Sequence, residues 1–471
     1  MSVTPALCML LSLVSIGSTF CKECYWNRKC QYDYFSTVTP YDSVRGDLRD
    51  QPKDDGCEVI SVWSIHRHGN RNPGPDVTRN IRELQYKIKQ LLDSEHSPAS
   101  RRSNNCSQDM YDLMNWSWNS TMDNSAEYLT GIGYEELFDL GRRLYYGHDE
   151  FLKSVDKVYF KATNEQRTIT SLAAFVRGMS VAQGNFSSGI DPPSEIDYLL
   201  RPYKNCERYT EEVKNGPKLA DELAAYDSSA EFLAIRDRVQ SKMFVDYQMT
   251  STDVNTLYEL CRFERSWSEK LRSPWCSFFT DQDLIVLEYR DDVRHFYRNG
   301  YASEINVKLG GLPLKDLYEN FVNATEGDKK TLVSYFTHDT MMEMVYCALG
   351  LYKDPEPPRG FTRDANRLWR TTQFSAFASN LMAILTRCVE SGEQTHRVQV
   401  LINEKPTPLC PEEGCTWQEF VDKFDSYNEA NLDVCQKSES GSSSNLSGRS
   451  DTKMNMAKGL VILIIVLNMF L

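Results

Sequence analysis

Residues 57–73, "CEVISVWSIHRHGNRNP", join a run of apolar and β-branched side chains directly to two histidines and two arginines. From Val59 to Ile65 the run has the look of a parallel strand buried on both faces. The polar cluster starts where that strand stops. The plan recurs: "VDKVYFKAT" (155–163) leads into the helical pattern "NEQRTITSLAAFVRGM" (164–179), and a strand over Leu332–Phe336 leads into "HDTMMEMVYCALG" (338–350). "HRVQVLINEKP" (396–406) adds one more strand. Such alternation predicts an α/β fold, a mostly parallel sheet with helices on both faces, whose ligand sits beyond the carboxyl ends of the strands. Three of those ends carry Arg67, His68 and Arg71, then Arg167, then His338 and Asp339.

Outward from this core, "PDVTRNIRELQYKIKQLLDSE" (75–95) repeats apolar residues at helical spacing, Ile81, Leu84, Ile88, Leu91 and Leu92, with Arg79, Arg82, Lys87 and Lys89 on other faces. "YLTGIGYEELFDLGRRLYY" (128–146) reads as a turn feeding a helix. Residues 97–126 read as a polar, glycosylated surface loop. From Cys206 to Arg272 the period is helical and no good strand appears. The expected organisation is a signal peptide over 1–21, an α/β core over 22–195 and 275–437, an inserted helical cap over 196–274, and a terminal segment over 438–471.

The chain has 471 residues, 53 Lys+Arg against 66 Asp+Glu, and a formal charge of −13. That balance argues against a nucleic-acid partner, so an anionic ligand must be held by a local pocket. Ala6–Ile16 is an apolar stretch followed by small residues, read as a secretory signal, although no Lys or Arg precedes it. Fourteen cysteines fit an oxidising compartment. Cleavage after Thr19 leaves thirteen and cleavage after Cys21 leaves twelve, and Cys347 in its apolar surroundings reads as a free buried thiol. Sequons at Asn105, Asn115, Asn119, Asn185, Asn323 and Asn445 agree with export. The tail "KGLVILIIVLNMFL" (458–471) follows small residues and a polar spacer, the order of a lipid-anchor (GPI) attachment signal near Ser442; a single C-terminal membrane helix is the other reading.

Arginines and histidines gathered beside helix N-termini suit a phosphate. Arg67 and Arg71 can fork onto one dianion, and Gly69 reads as a turn that brings backbone close to the ligand. Neutral His68 can attack phosphorus if its other ring nitrogen donates to an acceptor that fixes the tautomer. Asp339, kept protonated by burial, can give the leaving alkoxide its proton, and His338 adds a donor to the phosphoryl oxygens. Alone, His338-Asp339 would read as a capped helix start; the first motif makes it part of a site. His66 reads as a structural residue, and His295 is unassigned.

Arg67-His68-Gly69-x-Arg71-x-Pro73 with the later His338-Asp339 resembles the histidine acid phosphatases, the branch that holds phytases and acid phosphatases. "TNEQRTITSLAAFVRGM" (163–179), "LLRPYKNC" (199–206), "SPWCSFF" (273–279), "VLEYRDDVRHFYRNGYASEIN" (286–306) and "VQVLINEKPTPL" (398–409) are similar to the multiple inositol polyphosphate phosphatases within it. The resemblance implies a phosphorylated His68, a phosphate pocket of Arg67, Arg71, Arg167 and His338, and Asp339 as proton donor, with no metal or cofactor. It implies an inositol polyphosphate substrate, with Arg79, Arg82, Lys87 and Lys89 either touching its further phosphates or forming a solvated helix face. That group usually carries His-Ala-Glu where this chain has His338-Asp339-Thr340, which leans toward acid phosphatases and bacterial phytases. Members retained in the endoplasmic reticulum end in a retention tetrapeptide, whereas the apolar tail here points to the cell surface. The competing readings are a broad acid phosphatase on small phosphomonoesters, a phosphoryl mutase, and a non-catalytic polyanion-binding surface glycoprotein.

Overall fold

In the computed structural model the opening run becomes the central strand of the sheet. The structure describes residues 25, 34–51, 56–93, 106–180, 186–243, 247–267, 273–390, 392–411 and 413–437. The signal, the sequons at Asn105, Asn185 and Asn445, and the anchor segment lie outside them. The described residues up to Gln436 form one compact unit.

Seven strands form one sheet: β1 (Cys57–Arg67), β2 (Lys157–Ala162), β3 (Thr331–Thr337), β4 (Asn380–Glu390), β5 (Glu393–Ile402), β6 (Lys405–Pro406) and β7 (Cys415–Thr416). The order is β2-β3-β1-β4-β5-β6, with β7 also on β5. The expected parallel pairing holds for β2, β3 and β1. It does not extend to the rest: β4 runs antiparallel to β1, and β4 and β5 are a hairpin joined at Glu390 and Glu393. So short a connection allows only antiparallel pairing.

Side chains of alternate strand residues part into two cores. Trp63, Ile65, Val333, Tyr335, Leu381 and Ala383 face one, Val62, Leu332, Phe336, Met382 and Ile384 the other. The first is covered by α1 (Pro75–Asp93), then, after two helices on the other face, by α4 (Ser251–Ser266), α5 (Asp281–Asn299), α6 (Glu304–Glu326) and α7 (Asp339–Ala348). The second is covered by α2 (Gly131–Gly147) and α3 (Gln166–Ser180). These two helices meet at Gly141 and Gly178, where a Cβ would run into the carbonyls of Phe175 and Phe138. Only glycine permits that approach.

Between 196 and 274 the regular elements are helical, with Pro217–Asp227 and Ala230–Met243 preceding α4. The loop expected over 97–126 is partly helical, since Ser107–Asn115 is an α-helix. Among the described residues, disulfides join Cys57 to Cys388, Cys206 to Cys435, Cys261 to Cys276 and Cys410 to Cys415, Cys106 is also disulfide-bonded, and Cys347 is free and buried. The pairing fits folding in the secretory pathway. No described helix is long and apolar enough to cross a membrane.

His66 is structural, as its position implied. It stacks on Phe336 at 4.8 Å, meets Ser64 Oγ at 2.8 Å, and burial takes its imidazole down to about 3.

Candidate active site

Strand register brings the chemistry together. Arg67 of β1 faces Thr337 of β3, and Ala162 of β2 faces Phe336, so three adjacent parallel strands end level. The next residue of each is His68, His338 or Thr163. Backbone bonds lock these exits: His68 N–H donates to Thr337 O at 3.0 Å and Thr163 N–H to Phe336 O at 3.1 Å.

His68 Nδ1 lies 2.8 Å from the carbonyl of Gly69. A carbonyl only accepts, so Nδ1 carries the proton and Nε2 keeps its lone pair. Burial, helped by the charges of Arg67, Arg167, His338 and Arg71, drives the imidazole well below its usual range, so the ring is neutral. The ring of His338 is 5.6 Å away. Its Nδ1 lies 3.4 Å from Arg167 Nη2, and its Nε2 lies 3.0 Å from Thr163 Oγ1, which donates onward to Thr168. In this arrangement His338 donates to Thr163, and it needs a second proton before it can donate to a ligand.

The loop after His68 is held from outside. Glu136 of α2 accepts the N–H of Asn70 at 2.7 Å and of Tyr41 at 3.0 Å, and burial pushes its carboxyl up to about 7. Gly69 does not serve ligand approach as expected. It and Gly133 pack backbone to backbone, and a Cβ on either would enter the other's loop. The glycine is needed to seat this loop on the start of α2.

A cavity of about 330 Å³ opens beyond the strand ends, lined among others by His68, Arg71, Arg167, His338 and Asp339. Arg67 is not in its wall. Its Nη1 is tied to the carbonyls of Thr37 and Ser375, its guanidinium lies 4.6 Å over Phe377, and its Nη2 is 3.5 Å from Asp339 Oδ2. Arg67 therefore braces the site from behind. Nor are Arg79, Arg82, Lys87 and Lys89 in the wall. Arg79 pairs with Asp76, Arg82 with Asp123, Lys87 with Tyr247, and Lys89 with the carbonyl of Trp116. Gly74 and Val77 are the residues at this start of α1 that reach the cavity, so those four cations point elsewhere on a helix of 100° per residue.

The wall holds other cations instead: Arg201, Lys204, Arg262, Arg294 and Arg298. Arg201 and Lys204 come from the turn around Pro202, Arg294 and Arg298 from neighbouring turns of α5. Four of the lining arginines, 167, 201, 294 and 298, have a buried Nε with no protein partner. Guanidinium groups gathered around one hollow point to an anionic ligand. Burial takes Arg71 down to about 10, which leaves it charged near neutrality.

Asp339 departs from expectation. Burial alone would raise its carboxyl, but Arg67, with His295, His68 and Arg71, outweighs that and holds it well below the usual carboxylate range. In the free pocket it is a carboxylate, because four positive or protonatable neighbours surround it. It opens α7, accepting Thr340 N–H at 2.8 Å, with His338 as the N-cap.

The arrangement supplies an unprotonated imidazole nitrogen, guanidinium forks, a helix N-terminus and a nearby carboxyl group. Together these suit in-line displacement at phosphorus. A family model described as histidine phosphatase superfamily, branch 2, matches residues 58–403. The chain is 26% identical over 437 residues to multiple inositol polyphosphate phosphatase 1 of Drosophila melanogaster, covering 90% of this chain and 91% of that one. It is 29% identical over 393 residues to a thiamine-repressible acid phosphatase of Schizosaccharomyces pombe, covering 80% and 82%. Its fold superposes on the phytase from D. castellii with a TM-score of 0.69 at 16% identity, covering 86% and 87%. The chain belongs to branch 2 of the histidine phosphatase superfamily and is a phosphomonoesterase of the acid phosphatase and phytase kind.

Proposed function

We propose that this enzyme removes phosphates from inositol polyphosphates such as phytate through a phosphohistidine at His68. The observation that carries the reading is the excess of cations. One phosphoryl group needs Arg71, Arg167 and His338, and Arg201, Lys204, Arg294 and Arg298 share the same wall, Arg201 shared with Glu165 and Arg294 with Asp291. A polyanionic substrate uses such a surplus; a simple monoester has no need of it. Relatives named multiple inositol polyphosphate phosphatase 1 support the same substrate class.

The chemistry divides into two displacements. A phosphate monoester loses its second proton near pH 6, so in mild acid it arrives as a monoanion and can pass that proton to the Asp339 carboxylate. His68 Nε2 attacks phosphorus, the bridging P–O bond breaks, and Asp339 returns the proton to the leaving alkoxide. Water then attacks the phosphohistidine, the P–N bond breaks, Asp339 accepts the water's proton and passes it to the phosphate, and inorganic phosphate departs as the monoanion with His68 neutral and Asp339 ionised again.

Arg201→Ala with Lys204→Ala is the direct test of substrate class. KM for phytate is expected to rise about tenfold, the equivalent of about 1.4 kcal/mol, while KM for a small aryl phosphate stays within about threefold. Equal losses on both substrates would return the broad acid phosphatase reading, which His338-Asp339 and the similarity to the fission-yeast acid phosphatase favour. We further propose that residues 196–274 act as a cap over the substrate. Export is part of the same reading, with a lipid anchor at the C-terminal end and glycans on Asn115, Asn119 and Asn323, all exposed.

A further inference from the structure

Three carboxylates in the cavity wall, Glu127, Glu165 and Glu259, have no part in the reaction as written, and two of them meet Arg167. Glu127 Oε2 lies 3.2 Å from Arg167 Nη1, and Glu165 Oε2 lies 3.5 Å from the same atom. Glu165 also holds Arg201 at 3.0 Å, so it is pinned between two guanidinium groups. Glu127 is different. Among the described residues Arg167 is the one ion-pair partner within 4 Å of its carboxylate, with Arg71 and Lys204 acting on it from further off, and 43% of the side chain is exposed against 12% for Arg167.

The backbone presents Glu127 deliberately. Its φ is +62°, the left-handed region that a glutamate rarely enters. Its N–H donates to the carbonyl of Pro73, the last residue of the motif, at 3.1 Å. Two residues on, Leu129 N–H donates to Gln166 Oε1 at 2.9 Å, in the helix that carries Arg167. The turn is thus tied both to the loop of His68 and to the helix of its phosphate clamp.

Resting on the reading of this cavity as a phosphate site, we propose that Glu127 is an internal competitor for phosphate at Arg167. It pairs with the guanidinium while the pocket is free, yields as the phosphoryl group enters, and returns as inorganic phosphate leaves. So many arginines would otherwise retain the anionic product. Glu127 weakens substrate and product alike, and keeps release fast.

The sign of the effect separates this role from a structural one. A residue that merely supports the clamp weakens anion binding when removed; a competitor tightens it. The experiment uses the full chain with Glu127→Gln and Glu127→Gly, the second free of strain in a left-handed backbone. Inhibition of aryl phosphate hydrolysis by inorganic phosphate is measured together with KM and kcat. In both variants the Ki for phosphate and the KM are expected to fall about fivefold, as for loss of a half-exposed ion pair, with kcat equal or lower. If inorganic phosphate inhibits the wild type but Ki is unchanged or higher in the variants, the competitor role is overturned and the phosphate site stands. A wild type that phosphate does not inhibit overturns both.

Discussion

His68→Ala is expected to lower phosphate release from phytate and from aryl phosphates alike by about 10⁴-fold or more, because no other described group in the cavity offers an unprotonated nitrogen held by a backbone carbonyl. The fold should survive. The ring borders an open cavity, and its removal leaves the backbone bonds to Thr337 and Ala378 in place. Purified variant and wild type are compared by phosphate release and by thermal melting. A variant with an unchanged melt that keeps more than about one hundredth of the activity removes His68 from the role of nucleophile. Brief exposure to labelled substrate gives a companion readout, since only the wild type should carry acid-labile, base-stable label. The pH profile follows from the same ring. Its folded-state pKa is depressed, so the neutral, attacking form persists below the usual histidine value of 6.5 and is lost only as pH falls further. The acid limb of kcat/KM is therefore expected to lie below pH 6.5.

Asp339→Asn should cost about 10²- to 10⁴-fold in kcat on phytate, whose leaving alkoxide needs a proton. On an aryl phosphate the loss should be at least tenfold smaller, because a phenolate leaves unaided. The contrast matters more than either number. Arg67 and its neighbours keep this carboxyl ionised in the free pocket, so its proton must come with the substrate. Activity on phytate is accordingly expected to fall above about pH 6, where phosphate monoesters lose that proton. An equal loss on both substrates would show that Asp339 acts through the placing of Arg67 and the start of α7, and not as the acid.

The strand that leads into the motif is legible because burial on both faces leaves a continuous apolar run, and β3 is legible in the same way, whereas β2, an edge strand with Lys157 and Tyr159 exposed, is marked by the helical pattern that follows it. β4 is not legible. "NLMAIL" (380–385) fits a buried strand or a buried helix equally, and nothing local announces an antiparallel partner. In the site, His68, Arg71, Arg167, His338 and Asp339 follow from strand ends, since each sits within a few residues of one. Arg201, Lys204, Arg294 and Arg298 do not, because they reach the cavity across the helical layer from turns with no strand beside them. The basic face of α1 misled for a related reason. Periodicity tells which residues share a side of a helix, but not what that side looks at. The ionisation of Asp339 is a sum over charges far apart in sequence, and no stretch of residues carries it.

The arrangement of the sheet also decides when this enzyme can first work. β1 leaves the ribosome early, yet its two neighbours, β3 and β4, begin at residues 331 and 380. Loop closure on that scale is slow, and the central strand has neither neighbour to zip against until about seven tenths of the polypeptide has been made. A chain stopped before β3 lacks both neighbours of its central strand together with His338 and Asp339, and is therefore expected to be inert. Activity is deferred until the last third of the message has been read.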